Sequence, residues 1–349
     1  MPNSFTDRRV LLTGAGGSIG SALAKAILAR HPRSLILLDH SEHNLNQVDF
    51  DLNALPGANV RIAILGDICD AALLSEIFEQ HGPDVVIHAA AFKHVPLMEF
   101  NPIAAVQNNA LATNSLAQIA AIHRVSTIVM VSTDNAVNPH SVMGASKRLA
   151  ELALLRWGRA RSPMRAVRLG NVLGSQGSVV PKFLQQIAAG GPVTVTHRDD
   201  SRYFLSMGCA VELLMLAASL DEPSGIFLPD LGEPARILDL AHQMINETGA
   251  QRENEMPIVI TGLRPGDKMS EEFLSQNETA RATQDERLRF VNTPQPSHER
   301  FDATMSELHD AADRRDVAHL LDRIRVLVPE YCPSETVLAL RQNAVAYSP

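Results

Sequence analysis

Unbroken apolar runs rich in β-branched residues recur along the first half of the chain, at 10–13, 35–38, 60–65, 85–88, 128–132 and 166–169. A strand with water on one side alternates apolar and polar positions, so runs without alternation predict parallel strands covered on both faces. Between them, helical patterns predict helices over 18–30, 43–52, 71–80, 104–123 and 145–157. Strand followed by helix, repeated, predicts an α/β fold built on a doubly wound parallel sheet. Past Gly170 the rhythm changes: glycine and proline punctuate the chain from Gly174 to Pro192, and helices are expected near 209–219 and 237–248. The expected organisation is a Rossmann domain over 1–170, then a smaller lobe over 171–293 with some segments returning to the first core. A helical and loop extension over 294–349 completes it.

Composition narrows the class. With 349 residues, 45% apolar and 20% charged, the chain can build a sizeable core and is too apolar to be disordered. Lys and Arg number 31 against 39 Asp and Glu, a net charge of −8 with no basic run, which argues against nucleic acid as a partner. The segment 1–9 is polar and no stretch approaches the ~18 apolar residues of a membrane span, so no membrane partner and a cytoplasmic location are expected. Cys69, Cys209 and Cys332 follow no zinc or CxxC spacing, and reduced, mostly buried thiols are expected. The histidines show no carboxylate-paired metal spacing, so no metal site is expected.

Directly after the first strand stands Thr13-Gly14-Ala15-Gly16-Gly17-Ser18-Ile19-Gly20, which opens a helix. Gly14, Gly17 and Gly20 let the backbone turn tightly, approach a pyrophosphate and pack helix on strand, while the helix N-terminus presents free amides. Asp39 ends the second strand, where a carboxylate binds a ribose diol and repels a 2′-phosphate. This pattern points to NAD rather than NADP.

The strand at 128–132 runs into Thr133-Asp134-Asn135, and the next helix opens with Met143-Gly-Ala-Ser-Lys147. Hydroxyl and carboxylate at a strand end beside a helix-borne lysine is the layout of a short-chain dehydrogenase, with Met143 where tyrosine is usual. The stretches VLLTGAGGSIGS, HAAAFKHVPLMEFNP, VSTDNAVNPHSVMGASKRLAEL, RLGNVLGSQGSVVP, PVTVTHRDDSRYF and GLRPGDKMSEEFL together resemble the CapD/FlaA-type polysaccharide-biosynthesis proteins. These are extended short-chain dehydrogenase relatives, mostly nucleotide-sugar 4,6-dehydratases. The resemblance spans about 10–274 and marks the chain as a short, soluble form.

The resemblance implies specific roles. Gly14, Gly17, Ser18, Ile19, Gly20 and Asp39 match the NAD loop, Asp67 and Ile68 its adenine-side motif, and Ala89, Ala90 and Ala91 the turn under the nicotinamide. Asn109 matches the residue that orders the catalytic lysine, and Lys147 that lysine. Thr133 matches the hydroxyl beside the sugar 4-OH, Asp134 the acid for a leaving 6-hydroxyl, and Met143 a lining of the sugar pocket. Asn171, Arg202 and Arg264 resemble the diphosphate clamp. Alternatively Asp67 caps the helix near Ala71, and the two arginines are ordinary surface residues. A homo-oligomer is implied by family analogy.

One position departs. Where the family has lysine as the C5 base, this chain has Asn135, and an amide has no protonation equilibrium near neutral pH. Lys93, which faces the same cleft, or His94 is the substitute base, His94 alternatively being a structural capping residue. The leading expectation is 4,6-dehydration of a UDP-N-acetylhexosamine. The alternatives are an epimerase or ketoreductase using the same hydride machinery, and an NAD-binding sensor that has lost catalysis.

Overall fold

The computed structural model describes residues 5–247 and 256–346, with 342–346 as backbone alone. Strands β1 Arg9–Thr13, β2 Ser34–Asp39, β3 Arg61–Leu65, β4 Val85–His88, β5 Thr127–Thr133 and β6 Met164–Leu169 lie parallel in the order β3-β2-β1-β4-β5-β6. Gly225–Pro229 adds a parallel strand beside β6, and Leu288–Asn292 and Thr279–Ala282 extend the sheet antiparallel to nine strands. The doubly wound α/β fold is as expected. The strand beyond β6 and the antiparallel edge come from chain segments after Gly170.

Alternation along each strand explains why both faces are covered. Val10 and Leu12 of β1 join one core with Leu23 and Ile27 of helix α1 (Ser18–Leu28), while Leu11 joins the other with Leu74, Ile77 and Phe78 of α3 (Ala71–His81). Helix α2 (Glu42–Asn53) starts under a Ser41 cap. A smaller core gathers Phe183, Val193, Val195, Ile237 and Ala241, under the helices Val179–Ala188 and Ile237–Glu247. Thr248, the expected end of the latter, lies outside the described residues.

Two helices depart from their expected form. The segment expected as one helix over 104–123 begins at Pro102 and is interrupted by a π turn at Gln107–Leu111 before continuing as Ala112–Ile122. The helix expected from 145 begins at Val142, because Ser141 caps it by accepting the Gly144 N–H at 3.0 Å. In this helix, Val142–Trp157, every residue from Val142 to Leu155 is buried. The sheet covers one side; the tail helices His298–Asp313 and Val317–Leu327 cover the other through Phe301, Met305, Leu308, Leu320 and Ile324.

The cysteines correct the expectation of burial. Cys69, Cys209 and Cys332 are free and all exposed, for each sits in a connection or an outward-facing first helical turn rather than in the sheet. One histidine does pair with a carboxylate at helical spacing, His309 with Asp313 at 3.4 Å, on an exposed surface. Among the described residues no three His, Cys, Asp or Glu side chains gather as a metal site, and no helix is long and apolar enough to cross a membrane.

Candidate active site

The strand order reverses at β1, whose neighbours are β2 and β4, and the crevice outside the carboxyl ends of β1 and β4 is where such sheets hold ligands. Gly14 occupies that point with φ +66°, and a Cβ there would meet the Ala90 amide nitrogen at 2.5 Å. The loop and the 89–91 turn are thus in backbone contact. A Cβ at Gly20 would strike the Gly14 carbonyl at 2.0 Å, so α1 packs directly on its own loop. Asp39 is buried and ties the loop down: Oδ2 accepts the Gly16 N–H and Oδ1 the Ser41 N–H, both at 2.9 Å. Close backbone, amides at the start of α1 and a carboxylate at the end of β2 fit the pyrophosphate and ribose of a dinucleotide. Asp67 is exposed and accepts the Cys69 N–H at 2.9 Å, with Ile68 buried beside it. The cap of α3 is Asp70, not Asp67.

A cleft of about 580 Å³ runs from this loop past the end of β5 to the smaller lobe. Gly17, Ser18, Ile19, Gly20, Ala89 and Ala91 line one end, and Lys93, Thr133, Asn135, Met143 and Lys147 the middle. Asn171, Arg202 and Arg264 line the far end, while Asp39, Asp67 and Ile68 lie outside this cleft. The connection after β6 folds back over the loop, with the Gln176 N–H donating to Ser18 Oγ at 3.0 Å.

Position 109 owes its geometry to the π turn. Asn109 Oδ1 accepts the Phe92 N–H at 2.8 Å, while Nδ2 donates to the Phe92 carbonyl at 2.9 Å and to Ser146 Oγ at 3.0 Å. It therefore fastens the 89–92 turn to the helix that carries Met143 and Lys147, one turn apart on the same face. Lys147 Nζ donates to the Val131 carbonyl at 2.7 Å, and burial lowers its pKa to about 8.

Asp134 follows β5 and is buried behind Thr133. Its Oδ1 accepts three donors: Thr133 Oγ1 at 2.7 Å, the Asn135 N–H at 2.9 Å and Asn135 Nδ2 at 3.1 Å. Its Oδ2 is buried with no partner. Burial raises the Asp134 pKa against the pull of these donors. Asn135 thus serves its neighbour as a donor.

At the far end of the cleft the two arginines differ. Arg264 is exposed, holds Asp267 at 2.8 Å and keeps its outer face toward the cleft. Lys182, missed in the sequence because nothing in its helix marks it, lines the same end, and its exposed amine makes no hydrogen bond among the described residues. Arg202 is turned inward, donating to the Ser201 and Lys268 carbonyls at 2.8 Å each and pairing with Asp200 and, at 3.5 Å, with Glu271. His94 precedes the short helix Val95–Glu99 without capping it and packs against Gly177. Lys93 is exposed at the cleft.

Sequence reasoning also missed a buried ion network beneath the site. Glu151 accepts Ser132 Oγ at 2.7 Å and pairs with Arg168 and Arg148, and Arg168 reaches Glu278 at 2.7 Å. Its members lie 17 and 110 positions from Arg168, so no local pattern announces it.

The family model described as polysaccharide biosynthesis protein matches residues 10–293. EpsC of Bacillus subtilis, a probable polysaccharide biosynthesis protein, is 45% identical over 79% of this chain, which spans 46% of EpsC's length. The UDP-glucose 4-epimerase of Rickettsia conorii is 32% identical over 80% of this chain and 81% of its own. The X-ray structure of Pen from Bacillus thuringiensis superposes with a TM-score of 0.76 at 28% identity, covering 84% of this chain and 89% of Pen. The resemblance to CapD-type proteins drawn from the motifs is borne out, and the chain belongs to the polysaccharide biosynthesis protein family.

Proposed function

We propose that the protein is an NAD-dependent nucleotide-sugar modifying enzyme acting at sugar C4, with 4,6-dehydration of a UDP-N-acetylhexosamine as its leading reaction. The observation that carries this reading is the convergence of Thr133 and Lys147 on one cleft whose other end is the glycine loop, with Asp134 buried directly behind Thr133 and hydrogen-bonded to it. Gly14, Gly17, Ser18, Ile19 and Gly20 hold the cofactor's pyrophosphate, Asp39 its adenosine ribose, and Lys147 its nicotinamide ribose. When bound, NAD supplies a two-electron acceptor for the hydrogen on C4.

The chain's own groups do the rest. Thr133 already donates its proton to Asp134 and accepts the Asn135 N–H at 3.3 Å, which leaves one lone pair to accept from the sugar 4-hydroxyl. Asp134 gives a proton to the departing 6-hydroxyl. Met143 lines the sugar site without proton chemistry, and Arg264 with Lys182 holds the diphosphate. Lys93, in the same cleft and with its pKa lowered by burial, takes the base role that Asn135 cannot fill. Purified protein incubated with UDP-, GDP- and dTDP-sugars and read by mass spectrometry tests the assignment. Loss of one water from a UDP-sugar supports dehydration; no change in any sugar overturns the enzyme reading.

Asn135 favours a second reading, in which oxidation at C4 is followed by return of hydrogen without water loss, as in an epimerase or ketoreductase. A product of unchanged mass and altered stereochemistry supports it.

A further inference from the structure

Behind the sugar end of the cleft lies a buried cluster that the proposed mechanism uses only in part. Asp134, Asp200 and Glu271 are at most 9% exposed, and so are its cations, apart from Arg202, whose side chain is 12% exposed, beside Lys268. Lys268 donates its amine to the Val137 carbonyl, and Arg202 spans Asp200 and Glu271. Three carboxyls against two cations leave one negative charge in excess, in a place water hardly enters. Asp134 Oδ2, Glu271 Oε2 and Asp200 Oδ1 are buried with no hydrogen-bond partner; Arg202 pairs with the Asp200 oxygen and Lys268 Nζ stands 3.9 Å from the Glu271 oxygen, whereas Asp134 Oδ2 has no cation beside it and is felt by Glu271 across the cluster. A carboxylate oxygen in that position is costly, whereas a protonated one supplies a donor and removes the excess charge.

We propose that Asp134 and Glu271 hold a single proton between them, and that Glu271 is a positioning residue that keeps Asp134 in its proton-donating form. Three donors already fix Asp134 Oδ1 as an acceptor, so the proton resides on Oδ2 when it is on Asp134. In the reaction the O–H bond on Oδ2 breaks as an O–H bond forms on the sugar's 6-oxygen; the C6–O bond breaks with its electron pair passing to that oxygen, which leaves as water, and the C5–H electron pair, its proton taken by the base, forms the C5–C6 double bond. Arg202 and Lys268 offset the charge left on Asp134, and the proton returns by way of Glu271, which lines the cleft. The groups facing the pair are Asp200 and Arg202 from one segment and Lys268 from another, with Glu272 acting on Lys268. Burial and the facing carboxylate raise Glu271 to about 7, and burial raises Asp134. Their titrations belong to the pair rather than to either residue.

This inference rests on Asp134 being the acid of the proposed reaction, so the test reads the proton apart from turnover. Infrared difference spectra of the full-length protein at neutral pH are expected to show a neutral-carboxyl band that E271Q and D134N each remove, because either change leaves two carboxylates for two cations. Turnover of E271Q is expected to fall tenfold or more above neutral pH, to recover on the acid side, and to be rescued by E271D, while D134N stays inactive throughout. Should the glutamine variant not fold, the parent labelled with carboxyl-¹³C aspartate must shift a band that titrates away as pH rises through neutrality. No such band in the parent, or a band that survives either variant, overturns the shared proton even if sugars are turned over. A band present with no sugar turned over leaves the shared proton standing and sinks the enzymatic reading instead.

Discussion

The carboxylate of Glu99 accepts the backbone N–H of Val142 at 2.7 Å while its other oxygen takes the Ser334 hydroxyl. One fully buried acid thus joins the 95–99 helix, the start of the helix bearing Met143 and Lys147, and the C-terminal tail. A carboxylate at a helix N-terminus is favoured by the free amides there. Burial raises the Glu99 pKa, and both hydrogen bonds oppose that shift.

Glu99→Ala leaves a buried N–H unpaired, so unfolding is expected to lose about 1–3 kcal/mol. Ser334→Ala, which keeps the Val142 contact, is expected to cost about 0.5–1.5 kcal/mol. Denaturant melts of both variants check the order. Equal effects would mean that the Val142 contact contributes nothing.

For the cofactor, NAD is expected to bind at least tenfold more tightly than NADP, about 1.4 kcal/mol, because a 2′-phosphate would sit against buried Asp39. Asp39→Ala should narrow the gap. The same change frees the Gly16 and Ser41 amides, so calorimetry should also show weaker NAD binding.

At the diphosphate end, Arg264→Ala is expected to weaken UDP binding by about 1.5–3 kcal/mol and to leave NAD binding unchanged. Lys182→Ala should act in the same direction by less, since an exposed amine is better screened. Arg202→Ala is a different experiment: it strips the buried carboxyls Asp200 and Glu271 of their cation, and the loss should appear in protein stability.

Asn135→Lys is expected to raise water loss from the oxidised sugar, since a positioned base contributes about 10² to 10⁴ in rate. Nearby carboxylates keep a new amine protonated, so the gain should grow with pH. Lys93→Ala and His94→Ala separate a relocated base from none. If the parent already releases a 4-keto-6-deoxy sugar at full rate and Asn135→Lys adds nothing, Asn135 does not divert the chemistry.

His88 supplies a pH-dependence with a fixed sign. Thr113 gives its proton to the Asn109 carbonyl at 2.7 Å, so it accepts from His88 Nε2–H at 2.9 Å, and Nδ1 accepts from Thr13 at 2.7 Å. Burial, with Lys147 beside it, lowers the His88 pKa to about 3. The unfolded chain therefore binds the proton first as pH falls below about 6.5, and stability drops with it. At pH 5 the loss relative to neutral pH should be roughly 2 kcal/mol, and His88→Gln should lack that part of the acid slope.

The inner parallel strands were legible because burial on both faces favours apolar runs, a bias that outweighs Arg165 and Arg168 in β6; β3, at the sheet edge with Ala63 and Leu65 exposed, was legible from its apolar composition alone. The strand Gly225–Pro229 and its antiparallel neighbours were not, since nothing local says which sheet a short strand joins. At the site, residues sharing a motif with the backbone turn they serve, such as Gly14, Asp39 and Thr133, could be named from spacing. Asp200, Lys268 and Glu271 stood in stretches already singled out, yet their meaning depends on meeting Asp134 across about 70 to 140 positions of chain, which only folding supplies. Arg202 was placed at the diphosphate by resemblance alone; sequence does not show the three carbonyls and two carboxylates that surround its guanidinium while it lines the cleft.

The burial of every residue from Val142 to Leu155 has a consequence for assembly. A helix already packed against the sheet on one side and against His298–Asp313 and Val317–Leu327 on the other has no free face to offer a second copy. Two copies meeting on that flank would touch through the tail helices, so the surface that selects a partner would be written in residues beyond the family-matched 10–293.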